Sequence, residues 1–333
     1  MQRLNIFVIC FLLFLSSCNW FKSNNDDKPQ APVAEIPLAK IPAFNSDSAY
    51  TYTQAQVDIG PRTPNSAAHD RCASWMLHLL RQWADTVYVQ SYTATAFDGK
   101  QIKSKNIIAS FNPKATSRIF LSSHWDTRPI ADEDDHDQEK PIDGANDGAG
   151  SSAMLIEIAR AMKTQKTVIG VDFILFDSED YGQPSSSPLP HVEDSWCLGS
   201  QYWAKNPHIP NYRADFGINL DMVASADAVF TREGISVQYA DWVSQYVWHI
   251  ASRLGYSSLF QSRVLGPITD DHYYVNTFRN IPTIDVIHYT ETGFGKYHHT
   301  HADNMALINR EMLQTVGKVM LQTIYQYDAD KKK

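Results

Sequence analysis

The run VIGVDFILFD at positions 168–177 is apolar at almost every position. A strand with one face in water shows a polar residue at every second position, so this run predicts a strand that is buried on both faces. Three further segments have a similar character: RIFLSS (118–123), DFGINLDMVA (215–224) and IPTIDVIHY (281–289). Strands of this kind are typical of parallel sheets covered by helices on each side.

Helical segments separate these strands, and a pair of alternating strands precedes them. TVYVQSYTATAF (86–97) and QIKSKNIIASFN (101–112) alternate in polarity, and the DGK between them predicts a hairpin turn. The segments whose spacing predicts helices are 68–84, 148–163, 239–255 and 308–328. This order predicts an α/β fold: a single domain, residues 47–330, with a mixed, mostly parallel central β-sheet flanked by helices.

The bulk composition is that of an ordinary globular protein. The 333 residues are 43% hydrophobic and 20% charged, which supplies enough apolar material for a large core. The formal net charge is −8 at pH 7. Nucleic acids are bound by concentrated Lys and Arg, so we expect no nucleic-acid partner.

The first residues predict export. Ile6–Leu15 is an apolar run of ten residues after the basic start MQR, which is too short to span a bilayer but suits a signal peptide. The junction LSSC at 15–18 resembles a bacterial lipoprotein signal. This implies a signal peptide at 1–17, lipidation of Cys18 and a membrane-anchored protein facing the periplasm or the outer membrane; a plain secretory signal is the alternative. Residues 18–46 are polar and Pro-spaced, which predicts a flexible tether.

Two cysteines, Cys72 and Cys197, lie beyond Cys18. An exported protein can oxidise such a pair to a disulfide. Their spacing does not decide whether this pair forms one.

Acidic and histidine side chains follow the buried runs at the points where they end. These residues are His124, Asp126, Asp177, Glu179, Asp180 and Asp221. Asp147 stands before the Gly-rich start of a helix, and YHHTHADN (297–304) follows the last run. Because ligands of open α/β sheets bind at the carboxyl ends of the strands, we expect these groups to converge. Histidine and carboxylate ligands without a thiolate cluster suit catalytic Zn²⁺.

Five spaced motifs occur in the order found in the co-catalytic zinc aminopeptidases. They are SSHWDT (122–127), GANDGAG (144–150), FDSED (176–180), NLDM (219–222) and HHTHADN (298–304). Within that superfamily the chain more closely resembles the zinc-dependent, animal-type glutaminyl cyclases and their bacterial relatives. The segments that favour this branch are SHWDTRP (123–129), DSEDYG (177–182), WCLGSQYW (196–203) and TDDH (269–272).

The resemblance implies a metal site. Asp147, Asp180 and His299 stand where the family has its zinc ligands, although animal cyclases usually have Glu at the position of Asp180. His124 and Asp221 match the further ligands of the second metal in the aminopeptidases. One Zn²⁺ is therefore expected, and two are allowed by the residues present.

The resemblance also implies catalytic and pocket residues. Glu179 matches the general acid/base, and Asp270, supported by Asp221, matches a group that holds the reacting nitrogen. The residues expected to line the substrate pocket are Trp196, Phe294 and His298, the last in place of a tryptophan in animal cyclases. His301 is expected at the surface or in support of the site. A histidine of the animal pocket falls on Asp285, so that element does not transfer.

The implied activity is that of a glutaminyl-peptide cyclotransferase, which converts the N-terminal glutamine of peptides or proteins to pyroglutamate with release of ammonia. A two-zinc aminopeptidase is the main alternative. A non-catalytic peptide-binding lipoprotein is a further one, but it has no need of Glu179. The acidic run ADEDDHDQEKPID (131–143) lacks the glycine and spacing of an EF-hand, so we expect a solvated loop there.

Overall fold

The computed structural model describes residues 37–332. Its strands are β1 (Thr86–Thr95), β2 (Gln101–Phe111), β3 (Arg118–His124), β4 (Gly170–Phe176), β5 (Phe216–Asp221), β6 (Phe230–Arg232), β7 (Phe260–Val264), β8 (Thr283–Ile287), β9 (Tyr289–Thr290) and β10 (Gly293–Phe294). The central sheet has the order β1-β2-β4-β3-β5-β8. β4, β3, β5 and β8 run parallel, whereas β2 is antiparallel to both of its neighbours. The predicted mixed, mostly parallel sheet is confirmed.

The α-helices of the described residues are α1 (Ser46–Ile59), α2 (Ala67–Trp83), α3 (Ser151–Met162), α4 (Leu198–Lys205), α5 (Gly234–Arg253), α6 (Asp271–Tyr274) and α7 (Arg310–Lys331). The four predicted helices correspond to α2, α3, α5 and α7. Helix α1 was not predicted, because its buried positions are Ala49, Thr53 and Gln56 and so carry little apolar periodicity. None of the described helices has both the length and the apolar character needed to span a bilayer.

Strand β4 shows why its sequence lacks alternation. Val171, Phe173 and Leu175 belong to a large apolar core shared with residues of α2, α3, α5 and α7. Ile174 and Phe176 belong to a second core, which contains Trp203 of α4. Both faces of the strand are therefore covered by apolar side chains.

The folded domain begins before the predicted boundary at residue 47. The backbone N–H of Ala39 donates to Oε1 of Gln326 at 2.9 Å, and the Ala39 carbonyl accepts from Nε2 of Gln322 at 3.0 Å. Phe44 is buried, and a Cβ at Gly317 would lie 2.3 Å from its ring. Residues 38–45 therefore pack against α7 instead of forming part of the tether. The predicted signal peptide and Cys18 lie outside the described residues.

The two cysteines of the domain are separate thiols. Cys72 on α2 and Cys197 just before α4 are both free and completely buried. Burial raises the pKa of the Cys72 thiol to about 12. A thiol in this state is a poor nucleophile at neutral pH.

Candidate active site

The carboxyl ends of the parallel strands open into a cavity of about 630 Å³. Its lining includes most of the side chains singled out from the sequence. These are Asp147, Glu179, Asp180, Trp196, Asp221, Asp270, Phe294, His298 and His299. His124, at the end of β3, is absent from this lining but is buried and contacts two of the lining residues. Strand ends and loops that are distant in sequence thus form one site.

Asp147, Asp180 and His299 form the first set of metal-type ligands. Nε2 of His299 lies 3.1 Å from Oδ1 of Asp180 and 3.9 Å from Oδ2 of Asp147. Both carboxylate oxygens of Asp180 are buried without a hydrogen-bond partner among the described residues. A buried carboxylate needs a compensating positive charge, so a cation fits here. One imidazole and two carboxylates are a donor set that suits zinc.

A second set shares Asp147 with the first. Nε2 of His124 lies 2.9 Å from Oδ1 of Asp147 and 3.2 Å from Oδ1 of Asp221. Burial raises the pKa of the Asp221 carboxyl to about 7, although its hydrogen bond with His124 lowers it. Asp147 presents one oxygen to each set, so the geometry has ligands for two adjacent ions.

The turn that carries Asp147 depends on a glycine. Gly148 has φ +93°, and a Cβ there would lie 2.9 Å from Cε1 of His124. Only glycine combines this backbone conformation with such a close approach. Asp303 holds the same turn from the other side, because its carboxylate accepts from the N–H groups of Asn146 and Asp147 at 2.7 and 3.0 Å.

Glu179 and Asp180 are placed by the turn that follows β4. The carboxylate of Asp126 accepts from the N–H of Glu179 at 3.0 Å and from that of Asp180 at 3.2 Å. Glu179 is half-buried, and one of its carboxylate oxygens lies within 4.8 Å of one from Asp270. Burial raises the pKa of the Glu179 carboxyl well above its usual range, His124 lowers it, and Asp270 raises it further. A carboxyl with a raised pKa is suited to exchange a proton during a reaction.

The three clustered histidines have different surroundings. His299 adopts a left-handed backbone conformation with φ +52° and is buried at the first ligand set. His298 stacks on Phe294 with ring centroids 4.5 Å apart. His301 has its side chain 37% exposed, and its Nδ1 lies 2.9 Å from Oδ2 of Asp134. Of the three, only His299 points a ring nitrogen at Asp147 and Asp180.

The loop 131–143 is largely exposed, as expected, but Asp132 and Asp134 near its start are only partly exposed. Asp132 lies 3.5 Å from Nδ1 of His299, and Glu133 lies 3.3 Å from Nδ1 of His298. Asp134 contacts His301, so each of the three histidines contacts a different carboxylate of this loop. The partners are more than 160 residues apart, so local spacing gives no signal for them.

Asp270 is supported from behind by a buried polar group. Nδ2 of Asn219 donates to Oδ2 of Asp270 at 3.1 Å and to Oδ1 of Asp285 at 3.3 Å. Asp285 is fully buried and is absent from the cavity lining. Asp285 is therefore linked to Asp270 from outside the cavity, through Asn219.

One residue expected at the site lies elsewhere, and several residues that support the site were not predicted. Asp177, expected at the site as a strand-end carboxylate, instead binds Nε2 of His69 on α2 with both oxygens, at 2.8 and 2.9 Å. Asp303 and Arg128 lie within quoted motifs, which was the only signal available for them. Their contacts join segments that are far apart in the chain, so they emerge only from the fold.

A mostly parallel sheet that presents overlapping histidine–aspartate sets at its carboxyl edge defines a zinc-exopeptidase type of α/β protein. The model of peptidase family M28 matches residues 106–324, and the chain belongs to that family. A solved Zn-dependent exopeptidase from Parabacteroides distasonis is 45% identical, with a TM-score of 0.84, and the match covers 86% of this chain and 99% of that one.

Solved structures of glutaminyl cyclases resemble this chain closely. The Tannerella forsythia glutaminyl cyclase is 47% identical, with a TM-score of 0.82, and the match covers 85% of this chain and 99% of that one. The Bacteroides thetaiotaomicron glutaminyl cyclase is 43% identical, with a TM-score of 0.84, and covers 86% and 99%. Among curated proteins, the glutaminyl-peptide cyclotransferase of Gloydius blomhoffii is 25% identical over 248 residues. That alignment covers 67% of this chain and 65% of the relative's length.

Proposed function

We propose that the protein is a glutaminyl-peptide cyclotransferase that acts on peptides or proteins with an N-terminal glutamine. The observation that carries this proposal is the placement of Glu179 and Asp270 within 4.8 Å of each other, in the cavity that also presents Asp147, Asp180 and His299. An acid/base group and a nitrogen-binding carboxylate beside one metal set are the groups that cyclisation requires. The similarity to solved glutaminyl cyclases supports the same reaction.

The reaction closes a lactam within the substrate. The α-amine nitrogen attacks the γ-carboxamide carbon, a C–N bond forms, and the bond to the amide nitrogen breaks. Zinc held by Asp147, Asp180 and His299 would supply Lewis-acid polarisation of the γ-carbonyl. Glu179 accepts a proton from the attacking amine and delivers it to the leaving nitrogen, which departs as ammonia.

Asp270 and Asp221 act on the nitrogen atoms. Both line the cavity, and Asp270 is fixed by Asn219. Their carboxylates accept hydrogen bonds from the amine before attack and from ammonia as it leaves. Trp196, Phe294 and His298 form walls that fold the glutamine side chain back on its own amine. This proximity is a large part of the rate enhancement available to an intramolecular attack.

A two-zinc aminopeptidase is the second candidate function, and a specific observation favours it. His124, Asp147 and Asp221 place ligand atoms within 4.8 Å of one another. This is a complete second set, next to the first. For the cyclase we propose one zinc, held by the first set, with Asp221 free to act on nitrogen.

Two assays run side by side test the function. One measures ammonia release from a Gln-initiated dipeptide, and the other measures hydrolysis of a Leu-anilide. The cyclase proposal expects ammonia release with about one zinc per chain. Anilide hydrolysis that needs two zinc ions per chain would establish the aminopeptidase instead. If protein that retains zinc shows neither activity, that result would favour a peptide-binding lipoprotein.

We also propose that the protein is exported and anchored to a membrane by a lipid on Cys18, facing the periplasm or the outer membrane. The support is the apolar run at 6–15 followed by the LSSC junction.

A further inference from the structure

Arg128 is completely buried among the loops that carry the site. Its Nε and Nη2 atoms donate to Oδ1 and Oδ2 of Asp132 at 2.6 and 2.9 Å. Its Nη1 atom donates to the carbonyl oxygens of Asp180 and Gly182 at 2.9 and 3.2 Å. All three guanidinium nitrogens are thus engaged, and they join the loop after β3 to the turn after β4.

The same guanidinium lies against the indole of Trp196. Its carbon is 4.4 Å from the centroid of the Trp196 ring. The indole also stacks on His299, with ring centroids 5.7 Å apart and planes 7° from parallel. A Cβ at Gly182 would lie 1.8 Å from the indole, so the backbone there is pressed against the ring. Arg128 and Gly182 together fix the position of the Trp196 indole, which lines the cavity.

Asp132 extends the contact from Arg128 to a metal ligand. Its Oδ1 lies 3.5 Å from Nδ1 of His299, while Nε2 of His299 faces Asp180 at 3.1 Å. A carboxylate at the non-ligating nitrogen of a histidine orients the ring and sets its tautomer. The fork from Arg128 holds that carboxylate in place.

We propose that Arg128 is a positioning residue that sets the orientation of His299 through Asp132 and the position of Trp196 by direct contact. Zinc affinity and binding of the glutaminyl group are then linked through one side chain. The substrate arm of this inference rests on the proposed cyclase function, whereas the zinc arm does not. Lysine cannot replace arginine here, because one ammonium group has neither the planar fork for Asp132 nor a flat face for the indole.

The test compares three variants by two measurements. Zinc affinity is measured on intact protein by competition with a chelator, and KM is measured for a Gln-initiated dipeptide. Arg128→Lys is expected to lose roughly 10- to 100-fold in zinc affinity, the range typical of residues that orient metal ligands, and to raise KM several-fold. Asp132→Asn should weaken zinc with little change in KM. Trp196→Phe should raise KM with zinc affinity unchanged.

Arg118→Lys is the matched control. Arg118 is also buried and binds both oxygens of Asp172, at 2.7 and 2.8 Å, but it lies at the start of β3, away from the site. The Arg118→Lys substitution should lower thermal stability without changing zinc affinity or KM. Wild-type zinc affinity or wild-type KM in Arg128→Lys would overturn the proposal, as would equal effects of the two arginine variants.

Asp132→Asn decides the matter if Arg128→Lys does not fold. Zinc bound by Asp132→Asn as tightly as by the wild type would overturn the link through Asp132. Absence of dipeptide turnover in the wild type would defeat the proposed function alone, since the zinc competition still tests the positioning of His299.

Discussion

The thiol of Cys197 lies 3.1 Å from Oε1 of Glu179, and the backbone N–H of Cys197 donates to the Glu179 carbonyl at 2.9 Å. Cys197 reaches this position in a left-handed conformation, with φ +56°. The buried thiol occupies one oxygen of the glutamate. The contact with the Cys197 thiol therefore orients the Glu179 carboxylate and leaves its other oxygen for the substrate nitrogen.

Loss of this thiol is expected to slow turnover moderately. A thiol is a weak donor, so its contact with a carboxylate is worth about 1 kcal/mol, and Cys197→Ala should lower kcat about fivefold. Cys197→Ser keeps a donor and should recover most of the rate. KM and zinc content should stay unchanged in both.

Cys72→Ala is the control for that comparison, because Cys72 is an equally buried free thiol on α2. It should leave kcat at the wild-type value. A Cys197→Ala enzyme with wild-type kcat would show that the thiol has no part in orienting Glu179.

The histidine cluster gives a prediction about metal binding. Each of His298, His299 and His301 is changed to alanine, and zinc is measured after dialysis. His299→Ala should lose zinc almost completely, since removal of a ligand costs more than the ~10- to 100-fold typical of a supporting residue. His301→Ala, with its exposed side chain, serves as the control and should retain zinc. Equal retention in His299→Ala and the wild type would contradict the assignment.

The amino-acid sequence predicts the sheet because a strand that is buried on both faces is apolar at consecutive positions. The run at 168–177 is continuous in apolar character, and β4 lies between two cores. Residues at the strand ends are likewise adjacent to such runs. The edge of the sheet and its chemistry could therefore be inferred before the structure was known.

The residues that support the site show no such local sequence pattern. Gln56 of α1 donates to the Ala149 carbonyl at 3.0 Å and accepts from Ser152 at 3.0 Å, although the polar face of its helix gives no apolar pattern. The pairing of Asp132 with His299 depends on two loops folding together. Interactions of this kind follow from tertiary packing, which overrides local periodicity.

Membrane attachment can be checked by phase partitioning. Cys18→Ser removes the only side chain that the LSSC junction offers for lipidation. The protein should then move from the detergent phase to the aqueous phase, or remain unprocessed. Partitioning identical to that of the wild type would show that Cys18 carries no anchor.

Replacement of Glu179 separates chemistry from metal binding. Glu179→Gln keeps the shape of the side chain but cannot accept a proton, so kcat should fall by roughly 10²- to 10⁴-fold while KM and zinc content change little. Glu139→Gln is the control and should keep the wild-type kcat, since Glu139 is exposed and absent from the cavity lining. Loss of zinc in Glu179→Gln would make Glu179 a ligand. Near-normal ammonia release would require a different base.

His208 makes the stability of the fold depend on pH in acid. Nε1 of Trp203 donates to Nδ1 of His208 at 3.0 Å, and Tyr88 and Tyr212 pack around the imidazole. Burial lowers the pKa of His208 to about 4. Its value in the unfolded chain is about 6.5, so below that pH the unfolded state binds more protons. The contribution to stability is present above pH ~6.5 and is lost as the pH falls towards the folded-state pKa.

His208→Gln should remove this pH dependence, because the amide oxygen can accept from Trp203 but does not titrate. One pKa unit corresponds to about 1.4 kcal/mol, so the free energy of unfolding of the variant should gain on the order of 1–3 kcal/mol over the wild type between pH 7 and 4. Urea denaturation of zinc-saturated protein at each pH measures that difference. Taking the difference cancels the other titrating groups, which both proteins share. His249→Gln, at an exposed position of α5, should show no such gain. A difference between wild type and His208→Gln that stays constant across this range would mean that His208 is not held neutral by its aromatic surroundings.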